Sequence, residues 1–188
     1  MKKAFLVFAG LALVATQAAA SSPVYFKAPI NFAGTGCPAG SVAVTGENTD
    51  TLSIMFDSYD AANPAKEASS KKRRASCNFA VPVHVPQGFQ VSTMTSDWRG
   101  YAEGKTELRR EYFFAGNIMG PKKTSYPKDD FTERDNLMHA TFSPCGAGDV
   151  TLRINSSVKA KKKNSYIAVD TVDLKNKVVF HMQWRKCR

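Results

Sequence analysis

Two short segments hold the residue types best suited to binding an anionic partner. The first basic segment, residues 66–74 ("KEASSKKRR"), has five basic residues and one acid, and the second basic segment, residues 159–163 ("KAKKK"), has four basic residues. The formal net charge is +10, or +8 without Lys2 and Lys3, and these segments supply all of that +8. Such localisation indicates an anionic partner: nucleic acid, phosphate-rich polysaccharide or a membrane surface. Solvated loops that keep an exported protein soluble would have the same composition. The candidate anion-binding residues are Lys71, Lys72, Arg73, Arg74, Lys159, Lys161, Lys162 and Lys163.

A second candidate site is the stretch "SDWRGYAEG", residues 96–104, where Trp98, Arg99 and Tyr101 cluster beside two glycines. Tryptophan, tyrosine and arginine are the residue types that dominate binding hot spots. We therefore predict a partner-binding role for these three residues. The alternative is that Trp98 and Tyr101 cover one end of the fold.

Residues that could serve catalysis form no recognisable motif. Three histidines stand singly within predicted strands: His84, His139 and His181. The chain has no C-x-x-C pair and no G-x-S-x-G sequence. The stretch "GYAEGKT", residues 100–106, resembles a phosphate-binding loop, but it is one residue short and leads into a predicted strand instead of a helix. We expect no catalytic residues, no metal site and no cofactor, although carboxylates such as Asp97 and Glu103 could pair in space.

The four cysteines are Cys37, Cys77, Cys145 and Cys187. An even number of cysteines in an exported chain indicates two disulfides, for which three pairings are possible. We favour Cys37–Cys77 and Cys145–Cys187, because each closes a loop of moderate size. In the chain-entropy description, each such loop contributes about 4 kcal/mol to the free energy of unfolding.

Residues 1–20 have the pattern of a secretory signal peptide. Lys2 and Lys3 precede an apolar run at residues 4–15, and small residues at 18–20 provide a cleavage site. The apolar run is too short to span a bilayer, so a membrane anchor is disfavoured. We expect a secreted or periplasmic protein whose residues 21–188 form a single domain without a transmembrane segment.

Apolar and polar residues alternate along most of this exported part, as expected for strands with one buried face. Short strands are predicted at residues 42–44, 52–56, 79–85, 89–93, 108–114, 137–142, 152–158, 166–174 and 178–184. Pro82 lies within one of them, which predicts a sheet edge or a bulge. Residues 57–75, 117–135 and 160–164 are predicted to be irregular. The pattern favours an all-β fold: an antiparallel sandwich, with a barrel as the alternative, stapled by two disulfides.

Several short motifs occur in the same order as in a known family, which the chain therefore resembles. They are "GTGCPAGSV" at 34–42, "RRASCNFAVPVHVPQGF" at 73–89, "WRGYAEG" at 98–104, "YFFAG" at 112–116, "SPC" at 143–145, "LRINSS" at 152–157 and "WRKC" at 184–187. The chain is similar to the exported family termed domain of unknown function 4360, which occurs in fungi and bacteria. This resemblance implies export, one domain and four paired cysteines, and it supplies no catalytic residues.

Three functions follow from these observations. The favoured hypothesis is an exported, non-catalytic protein that binds an anionic or polysaccharide surface component. The second is an inhibitor or interaction partner of another exported protein, and the third is a hydrolase. Basic segments that meet in space would favour the first, an apolar patch around Trp98 the second, and a carboxylate pair in a cleft the third.

Overall fold

The computed structural model describes residues 24–116, 120–137, 142–145, 148–169 and 178–187. The expected signal peptide lies outside these residues, as do His139, the side chain of His181 and parts of two predicted strands, 138–141 and 170–174. Within the described ranges no helix has the length and hydropathy needed to cross a membrane. The strands are β1 (Tyr25–Phe26), β2 (Asn31–Ala33), β3 (Val42–Thr45), β4 (Thr51–Phe56), β5 (Tyr59–Asn63), β6 (Arg74–His84), β7 (Phe89–Glu103), β8 (Thr106–Phe114), β9 (Lys122–Ser125), β10 (Asp129–Asn136), β11 (Val150–Ala160), β12 (Ser165–Val169) and β13 (Val178–Lys186).

These strands form two antiparallel sheets. The first sheet has the order β1–β6–β11–β8–β9, with β2 also paired to β6. The second sheet has the order β3–β4–β13–β7–β12–β5, and β10 pairs with β7 along residues 95–102. Two packed antiparallel sheets with two disulfides confirm the predicted all-β sandwich.

Alternation along each strand directs one set of side chains into the space between the sheets. In β6, Cys77, Phe79 and Val81 are buried, whereas Ser76 and Asn78 lie on the outer side. The largest fully buried side chains come from both sheets: Trp98, Tyr59, Tyr112, Phe26, Phe79, Phe114, Leu52, Ile54, Leu108, Leu137 and Leu152. Burial of these apolar surfaces holds the sheets together and fixes which side chains face outward.

Strand β6 is not the edge strand that Pro82 predicted, but its pairing on one side is interrupted next to Pro82. Strand β6 has β11 on one side and the short strands β1 and β2 on the other. Pro82 lies between the residues that pair with β1 and those that pair with β2, and its carbonyl accepts a hydrogen bond from the Lys27 backbone N–H (2.8 Å). Because proline has no N–H, Pro82 cannot return a hydrogen bond to Lys27, and the pairing with β1 ends there.

Two of the stretches predicted to be irregular contain strands. Residues 57–75 include β5 and the 3₁₀ helix Ala65–Glu67, and residues 117–135 include β9 and most of β10. In β10 the inward positions are Phe131 and Asp135. An inward carboxylate breaks the apolar alternation that identifies a strand, so the pattern gave no signal there.

Strand β13 lies between β4 and β7 in the second sheet. The pairing of β13 with β7 is shifted by a β-bulge between His181 and Met182. Trp184 is paired with buried Val91, yet its side chain is 41% exposed and packs edge to face on Phe89. Trp184 therefore lies where the sandwich opens to solvent.

The structure pairs Cys37 with Cys77 and Cys145 with Cys187, as the cysteine spacing favoured. The first disulfide is buried and joins the Cys37 loop to β6, with its Cα atoms 5.5 Å apart. The second lies at the surface, where Cys145 is exposed and the Cys187 backbone N–H donates to the Gly88 carbonyl (2.6 Å). Each disulfide thus ties a loop or chain end to a long strand.

Candidate anion-binding site

The two basic segments meet at one end of the sandwich. Lys159 of β11 lies directly opposite Arg74 of β6, and the Ala160 backbone N–H donates to the Arg73 carbonyl (2.9 Å). This juxtaposition follows from the antiparallel pairing of β6 with β11, because one strand begins where the first segment ends and the other ends where the second segment begins. Cations separated by 85 residues along the sequence are therefore neighbours in space.

The first basic segment is anchored by the buried side chain of Asp60. Its carboxylate accepts hydrogen bonds from the backbone N–H groups of Ser69 (2.7 Å) and Ser70 (3.1 Å). The Ser70 hydroxyl donates in turn to the Asp60 carbonyl (2.8 Å). These bonds fix the backbone of the segment, so its exposed cations are carried by a defined loop.

A cleft of about 420 Å³ opens on the outer face of the first sheet, next to this end. Its lining includes Arg74, Arg109, Lys122 and Lys123, and Glu111 is the one carboxylate among the lining residues. The Lys122 Nζ atom lies 3.4 Å from Glu111 Oε1 at an exposed position. The cleft therefore has an excess of positive charge.

The strand register arranges the outer side chains of this face in rows across β6, β11, β8 and β9. The row nearest the basic segments is Arg74, Lys159 and Glu107. The middle row is Ser76, Ser157, Arg109 and Thr124, and the far row is Asn78, Asn155, Glu111 and Lys122. Cations thus alternate with neutral amides and hydroxyls over a surface about three interstrand spacings, or roughly 14 Å, wide.

One cation of the second basic segment has an internal partner. The Lys161 ammonium lies 2.5 Å from Glu107 Oε2, and the Arg109 guanidinium lies 2.7 Å from Glu107 Oε1. Burial of the Glu107 carboxyl acts to raise its pKa, but the hydrogen bonds and charges of Lys161 and Arg109 outweigh burial and lower the pKa. Glu107 therefore stays ionised and holds both cations at the edge of the cleft.

A buried polar network lies beneath the cleft. The Arg110 guanidinium donates to both oxygens of Asp135 (2.7 and 2.8 Å), and the Tyr112 hydroxyl donates to Asp135 (2.7 Å). Burial acts to lower the pKa of Arg110, but Asp135 raises it above its usual value. Burial also raises the pKa of the Tyr112 hydroxyl well above its usual value, and the charge of Asp135 adds to this. The network joins β8 of the first sheet to β10 of the second.

Trp98 belongs to the core, which corrects its predicted partner-binding role. Its side chain is fully buried, its indole N–H donates to Tyr112 Oη (2.6 Å), and its ring stacks on Phe79 with centroids 6.3 Å apart. Trp98 faces inward on β7, so it cannot contact a partner at the surface. Arg99 and Tyr101 lie on the outer side of the same strand, where Tyr101 is 40% exposed.

The carboxylates named for a hydrolase are not brought together. Asp97 and Glu103 lie on one strand, β7, six residues or about 20 Å apart. Asp97 instead accepts two hydrogen bonds from the Arg134 guanidinium (2.6 and 2.8 Å). Over the described ranges, no three histidine, cysteine or acidic side chains are grouped so that they could hold a metal ion.

Of the predicted anion-binding residues, Arg74 lines the cleft, and Lys159 lies beside Arg74 in the row of outer side chains nearest the basic segments. The other exposed cations extend from the adjoining loops: Lys71, Lys72, Arg73, Lys162 and Lys163. Sequence reasoning missed Arg109, Lys122 and Lys123. The alternation within "TELRREYFF" assigns Arg109 to the outer side of its strand, which is the signal that could have identified it.

This geometry defines a disulfide-stapled β-sandwich with a cationic cleft on one outer face. Residues 28–187 match the family described as Domain of unknown function (DUF4360), and the chain belongs to that family. An uncharacterized secreted protein of Arthroderma benhamiae is 29% identical over an alignment of 174 residues, and the match covers 84% of this chain and 70% of that protein. The secreted relative and the two disulfides confirm the expectation of export.

Two solved structures match most of the chain at low sequence identity and low TM-score. TmCBM61, solved with beta-1,4-galactotriose, is 10% identical with a TM-score of 0.34, and the match covers 85% of this chain and 89% of that one. The N-terminal cellulose-binding domain of Cellulomonas fimi beta-1,4-glucanase C is 9% identical with a TM-score of 0.31, covering 84% and 90%. Similarities of this size carry no argument about the ligand of this chain.

Proposed function

We propose that this protein binds an anionic surface polymer through the cationic cleft of the first sheet and the basic segments beside it. The observation that carries the proposal is the position of Arg74, which belongs to the first basic segment and also lines the cleft. Segment and cleft therefore form one continuous surface. A polymer in the cleft would pass directly onto the exposed lysines of the adjoining loops.

The charge balance of the cleft supports an anionic ligand. Arg74 lines it without a carboxylate in ion-pair distance among the described residues, and Lys122 is only loosely paired. Arginine is suited to carboxylate, sulfate or phosphate groups because its planar guanidinium can donate two hydrogen bonds to one anion. A row of such groups attracts a polyanion and releases its counterions on binding.

The neutral side chains of the cleft support a polymer that also carries hydroxyl groups. Ser76, Asn78, Thr124 and Asn155 line it and offer both donors and acceptors. A site that recognised only the negative charge of its ligand would gain little affinity from neutral amide side chains. This composition favours a polysaccharide over a simple polyanion and agrees with an exported protein that meets surface polymers.

We propose binding without catalysis as the role of this site. General acid–base hydrolysis of a glycosidic bond requires two carboxyl groups that flank the bond. Glu111 is the one carboxylate lining the cleft in the described part of the chain, and Lys122 lies beside it. A ligand held there would be positioned by cations and amides rather than cleaved by an acid–base pair.

The proposal is tested by charge reversal at matched positions. The cleft variant combines Arg74→Glu with Lys122→Glu. The control variant combines Arg185→Glu with Lys186→Glu, which lie at the exposed end of β13 in the second sheet. Both variants change one arginine and one lysine, so they have the same net charge. Binding to an immobilised polyuronate and to polyphosphate is measured over a salt series, with the melting temperature as a check on folding.

We expect the cleft variant to lose at least about tenfold in affinity, or about 1.4 kcal/mol, while the control stays within about twofold of the wild type. Affinity of the wild type should fall steeply with salt, because counterions are released on binding. Equal losses in the two variants would mean that only net charge matters, and the cleft would be rejected as the site. Absence of binding to either polymer would reject the function.

A further inference from the structure

Tyr126 is the most exposed large hydrophobic side chain among the described residues, at 65% of its surface. It follows β9, whose outer positions are Lys122 and Thr124, and continues their alternation at the end of the strand. This places Tyr126 beside Glu107, in the row that also contains Arg74. The aromatic ring therefore lies at the corner where the cleft meets the second basic segment.

The backbone around Tyr126 is held on both sides. The Ser125 hydroxyl accepts a hydrogen bond from the buried Arg110 guanidinium (2.7 Å). The Pro127 carbonyl accepts one from the Thr106 hydroxyl (2.6 Å), which is itself buried. An aromatic side chain exposed on a fixed backbone is prepared for a contact, because little conformational freedom remains to be lost on binding.

A cation also lies over the ring of Tyr126. The Lys161 Nζ atom lies 5.1 Å from the ring centroid and 2.5 Å from the Glu107 carboxylate. The Arg109 guanidinium is held at the other oxygen of Glu107. One aromatic surface and two cationic groups are thus fixed within one cluster, and Glu107 orients both cations.

We propose that Tyr126 is a stacking platform for one sugar ring of an acidic polysaccharide, whose carboxylate or sulfate group reaches Lys161 or Arg109. This inference rests on the proposed function and names its ligand class. A pyranose ring has an apolar C–H face that can cover an aromatic ring, while its charged substituent projects from the edge. The remaining sugars would extend along the cleft toward Asn78 and Asn155.

Single-stranded nucleic acid could also stack on a tyrosine, but the cluster favours a sugar polymer. Nucleic-acid strands are typically held by several aromatic side chains, one for each successive base. Among the described residues, Tyr126 is the one large exposed aromatic side chain on this face, since Tyr101 and Trp184 belong to the second sheet. The amides and hydroxyls of the cleft match the hydroxyl groups of successive sugars instead.

The test compares Tyr126→Ala with Tyr101→Ala, a matched loss of an exposed tyrosine from the opposite sheet. Tyr126→Phe keeps the aromatic ring. Each variant is titrated with an oligouronate, the neutral oligosaccharide of the same linkage, polyphosphate and an oligothymidine strand. Melting temperatures show whether each variant is folded.

We expect Tyr126→Ala to weaken oligouronate binding by about tenfold, with Tyr101→Ala and Tyr126→Phe within about twofold of the wild type. Polyphosphate affinity should be unchanged by Tyr126→Ala, because stacking needs a ring. Equal losses for oligouronate and polyphosphate would overturn the platform while leaving the cationic cleft in place. Tighter, Tyr126-dependent binding of oligothymidine would assign the platform to nucleic acid. Failure of the wild type to bind any anionic polymer would instead reject the proposed function.

Discussion

Arg109 and Arg110 are neighbours in the sequence but occupy opposite faces of β8. The Arg109 side chain is 56% exposed on the outer face, whereas the Arg110 side chain is 2% exposed between the sheets. Arg110 has a bidentate partner in Asp135, and Arg109 has Glu107 at the cleft edge. One residue type thus serves the fold on one face and is available to a ligand on the other.

The difference shows that alternation along a strand decides whether a charged side chain faces the core or the solvent. A buried guanidinium has lost its water and must be fully paired, so the contacts that surround Arg110 are intramolecular. An outer guanidinium keeps its water and can exchange it for a ligand anion. The cationic cleft is therefore built on the outer side of strands whose inner side is already fixed.

The largest expected effect is that of Arg110→Ala on stability. Removal of this side chain leaves the buried Asp135 carboxylate without its ion-pair partner and should lower the free energy of unfolding by about 3–5 kcal/mol. Arg109→Ala, the matched outer change, should cost less than about 1 kcal/mol, because the Arg109 side chain is mostly exposed and Glu107 keeps Lys161 as a second partner. Urea unfolding monitored by tryptophan fluorescence measures both. Similar losses would show that the two faces do not differ in the way described.

A smaller effect on stability is expected from Glu107→Gln, which removes the charge of a carboxyl group that lies on the outer face of β8 but is buried. Lys161 and Arg109 lower the pKa of Glu107 in the folded state, so its stabilising contribution is present above the unfolded-state pKa and is lost as pH falls through the folded-state pKa. At neutral pH we expect the variant to be less stable by on the order of 1 kcal/mol.

The pH dependence supplies the control for this variant. The stability difference between wild type and Glu107→Gln should shrink as the pH falls below about 4, the ordinary range for a glutamate carboxyl. Denaturant unfolding at a series of pH values measures it. A difference that stays constant down to strongly acidic pH would show that Glu107 stabilises the fold by packing rather than by charge.

Much of the fold could be predicted from the sequence because most strands alternate in the simple apolar–polar way. Strand β6 is an example, since Cys77, Phe79 and Val81 are buried as their spacing indicates. Gly104 forms the turn between β7 and β8, where it has a φ of +71° that other residues rarely adopt. Local pattern decides these features.

The cleft could be predicted only in part, because it depends on pairing between distant segments. The sequence identified Arg74 and Lys159 as members of basic segments, but it contains no sign that β9 would place Lys122 on the same outer face. Strand β10 was missed because its inward Asp135 is matched by Arg110 from another sheet. The burial of Trp98 was missed for the same reason. Its hydrogen-bond partner, Tyr112, lies on a different strand, so the local sequence does not show the contact.

The most direct test of the central claim is a map of where an acidic oligosaccharide binds. Backbone amide chemical shifts are recorded by NMR while the purified protein is titrated with an oligouronate. We expect saturable shift changes on the outer face of the first sheet, at residues such as Asn78, Arg109, Thr124 and Asn155. The amide shifts of Tyr101 and Thr132 in the second sheet should not change. Largest shifts at the second sheet, or weak shifts spread over all exposed lysines, would contradict this expectation.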